Sequence, residues 1–141
     1  MFDLTKQYGY DKEAAEAGVK MQVGADPKKD YLVVRRIPNK EYSAELIAVM
    51  QANSMKLKHL KKQDKSAYDA LNDKLLCNIM AKTVLTGWGP GIGADDKKLP
   101  YSEKSASEVL LIHDDFRTDV RDFATDNSNY PLQINVEDVK K

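Results

Sequence analysis

Val19-Lys20-Met21-Gln22-Val23 and Tyr31-Leu32-Val33-Val34-Arg35-Arg36-Ile37 decide the fold class of this chain. The first stretch alternates apolar and polar residues with a period of two, which predicts a strand with one buried face. The second is rich in β-branched and aromatic residues, which suit a pleated, half-buried surface. Between them, Gly24-Ala25-Asp26-Pro27-Lys28-Lys29-Asp30 is dense in turn formers. Two strand signals around a turn predict a β-hairpin over residues 18–37. Upstream, Ala14, Ala15 and Ala17 favour a short helical turn that Gly18 ends.

Downstream of Pro38 the period changes. Tyr42, Leu46, Val49, Met50, Asn53, Leu57 and Leu60 recur at three- and four-residue steps, one face of a helix, with the polar Asn53 interrupting the apolar stripe. Lys56, Lys58, Lys61 and Lys62 form the opposite, solvated face. Asp64 or Ser66 is the expected N-cap of a second helix. Tyr68, Leu71, Leu75, Ile79 and Val84 make its stripe, widened by Leu76, Met80 and Leu85. The short gap favours an antiparallel helical hairpin, although no Gly or Pro prevents the two from merging.

Gly87-Trp88-Gly89-Pro90-Gly91-Ile92-Gly93 ends this helix, since four glycines and a proline in seven residues do not sit in a helix interior. The reading is a shaped loop with Trp88 docked on the core. Glycines at every second residue fit neither a dinucleotide-binding turn nor a P-loop. Ser102 is the expected N-cap of a third helix carrying Ala106, Val109, Leu110 and His113, with Glu103 in its first turn. Asp114 or Asp115 is expected to cap a fourth, with Phe116, Val120 and Phe123 facing inward. Asp126-Asn127-Ser128-Asn129 ends it. The fold expected is therefore α+β and mainly α, an N-terminal β-hairpin followed by about four helices in a small bundle. One domain is expected over residues 1–130, with helices between about 40 and 126. Residues 131–141 form a tail, read as either an added strand or a loose end.

Composition narrows the function. The chain has 141 residues, with Lys+Arg and Asp+Glu both 22, so its formal net charge is zero. A protein held to nucleic acid or acidic lipid by bulk attraction carries a basic excess, so neither is expected as a partner. With 42% hydrophobic residues the chain can build a core. The longest mostly apolar run, Leu46 to Met50, is far short of the ~20 residues of a membrane-spanning helix. The N-terminal residues lack a basic start followed by an apolar stretch, so a reducing cytoplasm is expected. Cys77, the one cysteine, lies among Leu75, Leu76, Ile79 and Met80 and reads as a small buried hydrophobe.

No chemistry-bearing constellation stands out. Serines are numerous, but none sits in a nucleophile turn. His113 adjoins Asp114 and Asp115, yet neighbours at a helix junction point different ways, and a histidine at a helix C-terminus serves the free carbonyls. Asp95-Asp96 lacks the spaced oxygen ligands of a calcium loop. Neither catalysis nor a metal or other cofactor is expected.

Several segments together resemble a known family, the tail assembly chaperones of long-tailed (siphophage-type) bacteriophages. The clearest are Gly87-Trp88, the following Gly/Asp loop, Leu99-Pro100-Tyr101-Ser102-Glu103, Phe116, and Phe123-Ala124-Thr125-Asp126-Asn127-Ser128-Asn129-Tyr130. Upstream, Asp11-Lys12 through Glu16-Ala17-Gly18-Val19 and then Arg35-Arg36-Ile37-Pro38-Asn39-Lys40-Glu41-Tyr42 echo the family's Glu-x-Gly-Val, its hairpin and its Arg-x-x-Asn-x-x-Tyr entry to a helix. The resemblance spans roughly residues 10–130 and rests on order and spacing. The Gly89–Gly93 stretch and the C-terminal segment depart from the family's pattern, so no loop-level role is carried over.

The resemblance implies a non-enzymatic protein of the host cell cytoplasm that is absent from the mature virion. Its partners would be the tape measure protein, which it keeps soluble, and the tail tube protein, which it helps recruit, with self-association alongside. The faces around Leu46, Met50, Leu71, Leu75 and Trp88 are expected either to form the core or to border the binding groove. The alternative is a structural tail or head–tail joining protein retained in the virion.

Overall fold

A computed structural model describes residues 1–132. Two short helices open the chain, α1 (Leu4–Tyr8) and α2 (Lys12–Ala17), each capped by an aspartate, Asp3 and Asp11. Strands β1 (Val19–Gln22) and β2 (Tyr31–Val34) pair antiparallel, Val19 opposite Val34 and Gln22 opposite Tyr31. Helix α3 (Lys40–Ala52) is followed directly by α4 (Ser54–Gln63), and the long α5 (Lys65–Thr83) by β3 (Leu85–Trp88). A two-residue ladder joins β4 (Gly93–Ala94) to β5 (Lys97–Lys98). Helices α6 (Glu103–Ile112) and α7 (Asp114–Thr125) and a 3-10 turn (Asn127–Asn129) complete the described residues.

The protein is mainly helical with a small β component. The β1–β2 pair belongs to a three-stranded sheet of order β1-β2-β3, with β2 in the middle; α5 packs on β3 and α7 on β2, while α3, α4 and α6 pack on α5. Leu32 and Val34 alternate onto its covered face and are fully buried, while Tyr31 and Val33 remain half-buried on the other. Cys77, Met80, Ala81, Val84 and Leu85 at the end of α5 and start of β3 meet Ala106 and Leu110 of α6 and Val120 and Ala124 of α7 in the same cluster.

Three features correct the expectations from sequence. The stretch expected as helix end and loop contains β3, because Val33 pairs with Gly87 and Leu32 with Trp88. Helix α5 stops at Thr83, where the β-branched Thr83 and Val84 favour leaving the helix and the distant β2 supplies hydrogen-bond partners. The helix expected over residues 40–60 breaks at Asn53, whose backbone N–H and Nδ2 both donate to the Val49 carbonyl. Neither Asp114 nor Asp115 caps α7; the cap position is His113, and both aspartates fall in the first turn. Of the two candidates before α5, Asp64 is the cap and accepts from the Ala67 N–H. Ser102 caps α6 by accepting from the Ser105 N–H. The reading of the tail beyond Leu132 lies outside the described residues.

The alternating glycines have a steric reason. The Gly89 and Gly91 N–H groups donate to the Tyr31 and Lys29 carbonyls at 2.8 and 2.9 Å. A Cβ at Gly89 would meet the Lys29 carbonyl, and one at Gly91 the Asp30 carboxylate. Glycine at every second residue lets one edge of this segment lie flat on the turn between β1 and β2. Asp95 and Asp96, both at positive φ, form the tight turn between β4 and β5.

Candidate functional site

Among the described residues no group of three or more His, Cys, Asp or Glu side chains is placed to hold a metal ion. His113 is exposed at the α6–α7 junction, and His59 is exposed on α4. Cys77 is fully buried, and Arg117 Nη1 donates to its Sγ at 3.3 Å. Burial pushes the thiol above its ordinary pKa, although the Arg117 hydrogen bond and charge pull the other way. A thiol held protonated in the core is a poor nucleophile.

The motif residues behind the family resemblance serve the scaffold. Asn39 is buried; its Oδ1 accepts from the Tyr42 N–H, and its Nδ2 donates to the Arg36 and Thr83 carbonyls. Arg36 lies over the Tyr10 ring at 3.9 Å, and its Nε donates to Asn127 Oδ1. Arg35 is buried between two carboxylates, with Glu16 at 2.9 Å and Glu41 at 3.1 Å, and so joins α2, β2 and the start of α3. Tyr130 is fully buried and donates to the Val34 carbonyl. These roles were not read from sequence, because each joins segments far apart in the chain.

Of the five expected binding residues, four share one region. Leu46 and Met50 lie on α3 and Leu71 and Leu75 on α5, and α3 and α4 both pack on α5. All four side chains are half-buried. No residue of α3 or α4 is fully buried, and the buried residues of α5 begin only at Cys77. The arm formed by α3, α4 and the first half of α5 thus holds a seam of partly exposed apolar side chains. Ile47 and Met55, 59% and 79% exposed, add apolar surface to α3 and α4.

Trp88 belongs to a different surface. Its Nε1 donates to the Leu99 carbonyl at 2.7 Å, and its ring meets Tyr101 edge-on at 5.1 Å. It lines one side of a cleft beside Ile92 and Phe116, and all three pack by one side against the core cluster. Sequence reasoning did not find this cleft, because its walls come from the β1–β2 turn, the glycine segment, α6 and α7 together.

The model of the family described as YdaY prophage protein matches residues 28–141, from the turn before β2 onward. No curated protein and no solved structure matches the chain. The match covers well over half of the sequence and takes in β2, the arm and the cleft-forming helices. This phage-derived chain belongs to the YdaY prophage protein family.

Proposed function

We propose that this prophage protein is a non-enzymatic tail assembly chaperone that binds the tape measure protein, keeps it soluble and helps recruit tail tube subunits. The observation that carries the reading is the arm's seam: Leu46, Met50, Leu71 and Leu75 lie on packed helices without full burial. A long helix exposing apolar stripes self-associates unless it is covered. Many small binders, each laying such a seam over one segment, shield it through repeated weak contacts that polymerising tube protein then displaces. In this reading the protein acts in the host cytoplasm, without a cofactor, and leaves before the virion is complete.

Co-expression with a fragment of the phage's tape measure protein tests this directly. The fragment is expected to stay soluble and co-purify with the chain, and to aggregate when expressed alone. Mass spectrometry of mature particles supplies the second readout. Absence of the chain fits a chaperone, whereas stoichiometric presence favours a structural tail or head–tail joining protein.

A further inference from the structure

We infer that the cleft across Ile92 and Phe116 is a docking site for a basic, amphipathic segment of a partner polypeptide. Two cavities, of about 750 and 380 Å³, adjoin there and share Ile92, Gly93 and Phe116 in their walls. Met21 lies on one side of this shared ridge, and Trp88 and Leu99 on the other. Ile92 and Phe116 are only half-buried, and Val23 at the outer end is 47% exposed. Apolar side chains of Met21, Trp88, Ile92, Leu99 and Phe116 thus run through both cavities and stay partly exposed.

The rim identifies the occupant. Asp30 and Asp119 line the larger cavity, Asp115 and His113 the smaller, and no Lys or Arg lines either. That is a local departure in a chain whose acidic and basic residues are equal in number. A negative rim around these partly exposed apolar side chains complements a segment with apolar anchors on one face and Lys or Arg beside them. Small carboxylate or phosphate ligands are disfavoured by the same charges. The β4–β5 turn and the glycine segment are pinned by Trp88 and by the Lys29 and Tyr31 carbonyls, so the wall they form is set before binding. The inference extends the proposed function by giving the chemistry of one bound segment, and it uses a surface separate from the arm.

The test uses two fluorescent helical peptides with the same leucines at helical spacing, one flanked by lysines and one by glutamates. Both are titrated against the full chain and against Asp115→Lys/Asp119→Lys, two exposed positions whose exchange leaves the core alone. The lysine peptide is expected to bind the unaltered chain at least ~10-fold more tightly than the glutamate peptide, and the double variant to reverse that preference. The lysine peptide's advantage is expected to shrink as salt rises. Equal affinity for both peptides, or a preference untouched by the double variant, overturns the proposal. So does concentration-dependent dimerisation that the variant abolishes, which would assign the cleft to a second copy. Tape measure capture is measured in parallel. Full capture by the double variant overturns the cleft's role while leaving the chaperone reading intact. Loss of peptide discrimination together with loss of capture supports both.

Discussion

Asn39 Nδ2 donates to the Thr83 carbonyl at 2.9 Å, tying the first residue before α3 to the last residue of α5. The same side chain caps α3 through Oδ1 and holds the Arg36 carbonyl through its second N–H. One buried amide thus fixes how the arm leaves the sheet.

Asn39→Ala is therefore expected to cost about 2–3 kcal/mol, combining a lost cap with two buried carbonyls left unpaired. Asn39→Asp is expected to cost no less. It keeps the cap acceptor but has no donors for the two carbonyls and buries a charge. Urea unfolding of both variants checks the order; an aspartate as stable as the wild-type residue contradicts it.

Tyr130 gives the protein an alkaline limb. Burial pushes its phenol well above the ordinary value, against a smaller pull from Arg36, and burial also raises Tyr101, with Glu103 adding to the effect. A group whose pKa is raised by folding contributes stability that is fully present below its unfolded pKa and lost as pH rises towards the folded value. Stability is expected to fall above about pH 10, with Cys77 beginning its own contribution near about 8.5. Tyr130→Phe is expected to cost about 1 kcal/mol at neutral pH through the lost bond to Val34, and to flatten the alkaline limb. Thermal melts from pH 7 to 11 measure both effects.

Cys77 is expected to resist thiol reagents in the folded protein at pH 8 and to react at once in denaturant. Its burial and raised pKa both disfavour the thiolate. Ellman's reagent with and without urea measures the contrast, and rapid labelling of the native chain would contradict the packing.

Trp88 is the only tryptophan, so its fluorescence reports directly on the glycine segment. Trp88→Phe removes the bond to the Leu99 carbonyl and part of the contact with Tyr101. A loss of about 1–2 kcal/mol is expected. In the unaltered chain the indole emission is expected to shift to longer wavelength in the same transition that melts the helices, since Trp88 packs against the main core.

What the sequence made legible were features set by nearby residues. Ser102 and Asp64 are caps because their oxygens reach N–H groups three positions on, and the stripe from Tyr42 to Leu60 follows the helical period. Strand β3 was not legible, because four residues beside a glycine segment become a strand only when β2 lies alongside. The break at Asn53 depends on one side chain turning back to Val49, which periodicity does not register. The expected residues fall in two places, Leu46, Met50, Leu71 and Leu75 on the arm and Trp88 in the cleft wall. Only the packing of distant elements distinguishes them.

Hydrogen exchange of the full chain, with and without a soluble tape measure fragment, tests the central claim most directly. Slowed exchange is expected in α3, α4 and the first half of α5, where the seam lies, and Met50→Asp is expected to abolish it while leaving the melting of the core cluster in place. An exchange pattern unchanged by saturating fragment anywhere along the chain would contradict polypeptide binding as this protein's role.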